Sequence, residues 1–339
     1  MTAAGTGSAT REHRPAGGRP RPEVVGRRSP PGLDPGVARR LRGLAVPMVL
    51  GPTAVGKSRV AVEIARALGG EIVVCDSRQV YRGLEVLSNQ PGPEERREVR
   101  HHLVGVADPR HAFNVFQFVE AAHAAMAEIV DRGRLPVVEG GTMLWADALA
   151  RGFSLGDVPP RPERRAELER LTVAELAALA RRLDPGLDVD LRNPVRLIRA
   201  IEVLEVAGPP LSRLRRRHPP PWRPVKIGLA VDLAVLDRWI EERVREQMER
   251  GLIEEVATAL AAGIPPDAPA LTGIGCLEVR AYLEGRRSRD EVAAAIVRAD
   301  RRYARRQLRW LRRDPEVRWF DASSDPVPGI LEYLRERVR

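Results

Sequence analysis

Residues Gly51-Pro52-Thr53-Ala54-Val55-Gly56-Lys57-Ser58 follow the pattern G-x-x-x-x-G-K-[ST], whose residue types and spacing suit a chain of phosphates. Glycines let the backbone curl until its N–H groups converge on phosphate oxygens, and a helix starting there adds its partial positive charge. Lys57 supplies a mobile cation, and the Ser58 hydroxyl is placed to touch Mg²⁺. Of the 56 basic residues only Lys57 and Lys226 are lysines, so arginine serves wherever any positive charge will do. The loop keeps its lysine because a compact ammonium fits between phosphates where a planar guanidinium does not. These residues point to a bound polyphosphate.

Such a loop works only between a strand and a helix. A mostly apolar run, Leu44 to Leu50 with Pro47 near its start, precedes it as a buried strand. Val60, Ile64, Ala65 and Leu68 then recur at helical spacing until Gly69-Gly70. A second strand, Glu71 to Cys75, leads into Asp76-Ser77-Arg78-Gln79-Val80-Tyr81. A helix is predicted over Val115 to Arg132, with Phe118, Ala122, Met126 and Ile129 on one face, and a third strand over Leu135 to Val138 enters Gly140-Gly141-Thr142. This alternation predicts an α/β fold: a P-loop NTPase-like parallel sheet flanked by helices, with ligands at the strands' carboxyl ends. Asp76 and Thr142 then share a cleft with the phosphate loop. On its own Asp76 reads as a turn cap after its strand.

Between residues 152 and 221 the texture changes. Arg161 to Leu183 is charged and helical, with Leu168, Leu171, Leu176 and Leu179 on a narrow apolar face. A helix over Asn193 to Val206 carries Arg196 and Arg199, and the basic, then proline-rich Arg213 to Trp222 reads as a hinge. We read 152–221 as a helical insertion domain. Lys226 to Val231 returns to strand, and one long amphipathic helix is expected through Leu236, Ile240, Val244, Met248, Leu252 and Val256. Residues 44–151 and 222–339 thus form the expected core with C-terminal helices. Residues 1–43, rich in Arg, Pro and Gly without apolar periodicity, are expected to be a disordered basic tail.

The formal charge is 56 − 46 = +10, which fits a polyanionic partner or simply an arginine-rich proteome. From Arg298 to Arg313 only Asp300 interrupts the positive charge, and Tyr303 and Trp310 are interleaved, which favours nucleic-acid contact over a solvated face. Cys75 and Cys276 lie far apart without ligand-like spacing, so we expect a reducing cytoplasm and neither disulfide nor zinc site. No apolar run reaches the roughly eighteen residues of a membrane span. A monomer is expected.

Read in order, GPTAVGKS, DSRQVYRG, HHL, GGTMLW, NPVRLIRAIEV, TGIG and RRYARRQLRWLR resemble the tRNA dimethylallyltransferase family from Val46 to Phe320. The resemblance implies that Gly51, Pro52, Thr53, Ala54, Val55, Gly56, Lys57 and Ser58 hold the diphosphate of dimethylallyl diphosphate rather than ATP, with Mg²⁺ at Ser58. It implies alkyl transfer: N6 of the adenine just 3′ of a tRNA anticodon attacks the allylic C1, and diphosphate leaves. Thr53 resembles the threonine that bonds the bridging oxygen, Arg243 the arginine that completes the clamp, and Asp76 the general base. Contacts to the tRNA anticodon stem-loop are implied for Asp76, Ser77, Arg78, Gln79, Thr142, Arg165, Val195, Arg196, Leu197, Ile198 and Arg199. They are implied also for the turn Thr272, Gly273, Ile274, Gly275, Cys276 and Leu277.

The chain departs from the family at Trp145, usually tyrosine, at Cys276-Leu277, and over Glu85 to Pro91, which lacks a glycine and a lysine. Glu139 stands where an apolar residue is more usual, and His101-His102 matches the family but is assigned no chemistry. Three further readings stay open: a prenyltransferase acting on free AMP, ADP or ATP, a small-molecule kinase using Glu139 beside Mg²⁺, and a tRNA-binding relative without catalysis.

Overall fold

The computed structural model describes residues 33–152, 158, 161–208, 211 and 219–338. Its centre is a six-stranded sheet made of β1 (Ala45–Leu50), β2 (Gly70–Val74), β3 (His101–His102), β4 (Leu135–Gly140), β5 (Arg223–Ala230) and β6 (Arg318–Asp321). The order is β3-β2-β4-β1-β5-β6 and every pair is parallel. β1 lies between β4 and β5, with Val49 opposite both Glu139 and Ile227, and all of it is buried. Burial on both faces explains why it reads as a continuous apolar run instead of an alternating one.

Alternate residues of β1 serve two apolar layers. Val46, Met48 and Leu50 pack with Phe118, Met126, Ile129 and Leu149. Ala45 and Val49 face Val60, Ile64, Leu236, Ile240 and Leu308 on the other side. The helix Lys57–Leu68 starts after Gly56 and ends at Gly69, both left-handed, while Val115–Asp131 is capped by Asn114.

Several expectations need correction. The tail expected over 1–43 ends in a helix, Pro35–Leu41, capped by the Asp34 carboxylate and closed by a fully buried Leu41; residues 1–32 lie outside the described residues. Proline at the start of this helix is compatible with helix initiation, so Pro-rich composition misleads there. The single long amphipathic helix is two, Leu233–Glu249 and Leu252–Ala261, separated at Gly251 with φ +90°. Arg161 to Leu183 also divides, into Pro162–Leu168 and Val173–Leu183, where Thr172 and Glu175 form a capping box. Leu171, expected on the apolar face, is exposed in that break.

The helices of the 152–221 segment carry an apolar cluster of their own, built from Leu168, Leu176, Ala180, Leu197 and Ile201. The hinge expected over Arg213–Trp222 falls largely outside the described residues. Among the described residues no helix is long and apolar enough to cross a membrane, and both cysteines are buried thiols.

Candidate functional site

The loop from Gly51 to Gly56 leaves the carboxyl end of β1 and delivers its chain into the helix Lys57–Leu68. It turns through positive φ at Ala54 (+64°) and Gly56 (+84°), which aims successive N–H groups inward. The Lys57 ammonium bends back to donate to the Pro52 carbonyl at 2.8 Å. Burial lowers its pKa, an effect opposed by the charge of Glu139 and reinforced by Arg243.

Thr53 is held at two atoms. Its N–H donates to Gln307 Oε1 at 2.8 Å, and its hydroxyl oxygen accepts from the Arg243 guanidinium. Arg243 stands on the helix Leu233–Glu249, so the fold brings two of the residues implied for catalysis into contact. With its amide oriented to satisfy its neighbours, Asn89 accepts from Arg243 Nε at 2.8 Å and Nη2 at 2.9 Å. Asp300, a buried carboxyl, adds its charge near the same guanidinium.

Asp76 follows β2 and Thr142 follows β4, which are neighbouring strands. The Asp76 Oδ1 atom accepts from the N–H groups of Arg78 (2.8 Å) and Gln79 (3.4 Å), so the turn-capping role is filled by one oxygen. Ser77 N–H donates to Thr142 Oγ1 at 2.9 Å, stitching the two turns together. Arg78 reaches the Pro269 carbonyl and packs so closely on Gly273 that an added Cβ would sit 3.2 Å from its Nε. Asp76, Ser77, Arg78, Thr142 and the start of the 272–277 turn therefore line one rim. Gln79 is buried, and its Oε1 has no partner among the described residues.

Glu139, the last residue but one of β4, is only 3% exposed and accepts from the Ser58 hydroxyl at 3.2 Å. Burial, with the added charge of Asp76, pushes its pKa up to about 7 against the pull of Lys57 and the Ser58 hydrogen bond. Ser58, Asp76 and Glu139 offer the hard oxygen donors that Mg²⁺ prefers. Among the described residues no cluster of three His, Cys, Asp or Glu side chains is set to hold a metal alone, so a bound diphosphate would supply the remaining oxygens. The residues present fit such an ion.

Gln307 is a site residue that the sequence did not reveal, and Tyr303, noted there only as an aromatic among the arginines, sits beside it. Gln307, buried on the helix Arg289–Leu311, accepts from the loop at Thr53 and donates to the Gly141 carbonyl at 2.7 Å. A Cβ on Gly141 would come within 2.6 Å of that amide nitrogen, so only glycine allows the bridge. The Tyr303 hydroxyl donates to the same carbonyl at 3.4 Å, and burial, then the Asp76 charge, pushes its pKa up to about 12. One signal was available: both belong to RRYARRQLRWLR, set between arginines at helical spacing.

Other candidates are not drawn into the cleft. The side chains of Leu197, Ile198 and Cys276 are buried in apolar cores, so any contact at these positions falls to their backbone. Gly275 is buried too. Arg165 pairs with Glu202 at 2.7 Å, and Arg199 donates to the Val158 carbonyl at 2.7 Å, both within the 152–221 segment. Val195, Arg196, Thr272 and Leu277 are exposed, while Ile274 is half-buried. Trp145 stacks on Phe118 at 4.5 Å as a core residue.

Fold and site together define a P-loop α/β protein in which the loop after β1 lies close enough to Glu139 and Asp76 for both carboxylates to act on Lys57. The family model for IPP transferase matches residues 79–314, and the chain belongs to that family. It is 44% identical over 296 residues to a tRNA dimethylallyltransferase of Thermomicrobium roseum, covering 86% of this chain and 89% of that one. A tRNA dimethylallyltransferase of a Roseiflexus species is 41% identical over 285 residues, covering 82% and 93%. The structure resembles the tRNA isopentenylpyrophosphate transferase of Bacillus halodurans with TM-score 0.67 and 34% identity, over 88% of this chain and 97% of that one. A eukaryotic dimethylallyltransferase acting on tRNA shares the fold with TM-score 0.76 at 19% identity, over 87% and 80%.

Proposed function

We infer that this enzyme transfers a dimethylallyl group from dimethylallyl diphosphate to N6 of the adenine just 3′ of a tRNA anticodon. Two things support the reading: the matched relatives bear the name tRNA dimethylallyltransferase, and the cleft offers what alkyl transfer requires. The observation that carries it is the contact between Arg243 and Thr53, which sets a distant guanidinium against the phosphate loop. A donor whose leaving group is a diphosphate gains charge as its C1–O bond breaks, and preformed donors at that point lower the barrier most.

The loop N–H groups, Lys57 and Arg243 receive the diphosphate. Because the Thr53 oxygen accepts from Arg243, its own hydrogen is available to the oxygen between C1 and phosphorus. Mg²⁺, when bound at Ser58, supplies further neutralisation of the departing charge. On the opposite rim, both backbone bonds to Asp76 fall on Oδ1, leaving Oδ2 to accept the N6 proton. The N6–C1 bond forms as C1–O breaks, the proton passes to Asp76, and diphosphate leaves. Adenine reaches this point only when extruded from the anticodon loop. We assign tRNA docking to the exposed arginines of the helix Arg289–Leu311 and to the insertion over 152–221.

Incubation with labelled dimethylallyl diphosphate, Mg²⁺ and unmodified tRNA or AMP tests this. Label is expected on tRNA. Asp76→Asn should lower that transfer by roughly 10²-fold or more with donor affinity retained, the usual scale for a lost general base. Label on AMP alone, or triphosphate hydrolysis without prenyl transfer, would overturn the reading.

A further inference from the structure

Glu139 is a carboxylate in an expensive place. It is the last residue but one of β4, the strand beside β1, registered with Val49, and is buried to 3% exposure. Its side-chain hydrogen bond comes from Ser58, the residue of the loop whose hydroxyl belongs next to a cation. The ammonium of Lys57 acts on it electrostatically yet gives its hydrogen bond to the Pro52 carbonyl. A buried carboxylate without a direct ion pair is unfavourable unless another charge arrives. In phosphate-loop proteins an acid at the end of a neighbouring strand shares Mg²⁺ with the loop hydroxyl.

We propose that Glu139 and Ser58 together form the protein's seat for a divalent cation, at the head of the diphosphate site. This rests on the diphosphate reading of the loop. Glu139 would contribute the negative charge and Ser58 a neutral oxygen, the hard donors such a cation prefers. The two side chains lie 3.2 Å apart through Oγ and Oε1, so both would be within reach of one cation held beside the loop. Arg243 and Lys57 flank the phosphates, so cation and side chains divide the donor's charge among them.

The test is a titration of Mn²⁺ followed by its electron paramagnetic resonance signal, with and without inorganic pyrophosphate. Glu139→Gln keeps an acceptor for the Ser58 hydroxyl, so a purely orienting role survives it and only the charge is lost. We expect this variant to bind Mn²⁺ at least tenfold more weakly than wild type in the presence of pyrophosphate. Ser58→Ala should weaken it to a smaller extent, and Glu139→Asp should recover part of the loss. Circular dichroism confirms that each variant is folded. Wild-type Mn²⁺ affinity in folded Glu139→Gln would overturn the seat, while dimethylallyl diphosphate binding by wild type would leave the donor reading standing. Conversely, Mn²⁺ loss in the variant with no binding of dimethylallyl diphosphate to wild type would keep the seat and remove the donor.

Discussion

At the scale of single residues, Gln307 joins the two halves of the site. Its amide takes the Thr53 N–H on the side of the loop and gives a hydrogen to the Gly141 carbonyl, one residue from Thr142, on the side of Asp76. Misplacing reacting groups by about 1 Å can cost on the order of 10² in rate. Gln307→Met, which fills the same space without either bond, is expected to lower kcat at least about tenfold while changing donor KM much less. Gln307→Glu keeps the bond from Thr53 N–H but sets a carboxylate against a carbonyl, so it should not restore activity. Steady-state kinetics with tRNA separate these outcomes from simple destabilisation, which would leave kcat per folded molecule unchanged. The phosphate loop was legible because its chemistry is local and its spacing invariant. Gln307 was not: 254 residues separate it from Thr53, and a glutamine among arginines has the look of a solvated face. The burial of the Leu197, Ile198 and Cys276 side chains was hidden for the opposite reason, since a motif marks positions without saying which side chains point inward.

Among elements, the helix Arg289–Leu311 shows how packing sorts like charges. Arg301 and Arg305 turn toward the helix Leu233–Glu249, where Arg305 pairs with Asp237 at 2.8 Å and Arg301 with Glu241 and Asp237. Arg298, Arg302, Arg306 and Arg309, spaced three or four apart, remain exposed along another face, and Arg306 lies over the Tyr303 ring at 5.5 Å. Only the second set is available to phosphates. Arg302→Ala and Arg306→Ala should each weaken tRNA binding and reduce the slope of log K against log salt by roughly one unit. Arg305→Ala should leave that slope unchanged, because its charge already has a protein partner. Equal slopes for all three variants would show that the face does not meet RNA. The helix and its charge could be read from the sequence, but its division into two faces could not, because Asp237 and Glu241 lie about sixty residues away. The strands β3 and β6 escaped notice because short edge strands carry too little periodicity. The break at Gly251 was hidden by apolar spacing that continues across it.

For the molecule as a whole, the sheet is pinned by buried groups that tolerate only one protonation state, and this sets its response to acid. His123, on the helix Val115–Asp131, accepts from Trp222 Nε1 at 3.1 Å, so its Nε2 carries no proton, and burial lowers its pKa to about 4. Trp222 leads into β5, so this bond ties a helix of one layer to the strand that follows the insertion. Near the other edge, burial would raise the Glu71 carboxyl, but hydrogen bonds from Arg132 and His102 outweigh it and hold the pKa at about 2. Both depart from the unfolded chain in the direction that makes acid destabilising. As pH falls from 6.5 to about 4, an unfolded His123 takes a proton that the folded one refuses; from 4.5 to about 2 the same holds for Glu71. Each difference is worth at most about 3 kcal/mol, against a typical total stability of roughly 5–15 kcal/mol. His101 and His102 are lowered by burial as well and act with the same sign, and the formal charge of +10 grows as acids are neutralised. Urea unfolding should therefore show stability falling from pH 7 to pH 5, with about 2 kcal/mol of the fall assigned to His123. His123→Gln keeps an acceptor for Trp222 but does not titrate, so its curve should be flatter by that amount. If the variant falls as steeply as wild type, the His123–Trp222 bond does not govern the fall in this range, which then lies with the lowered His101 and His102 and the growing positive charge.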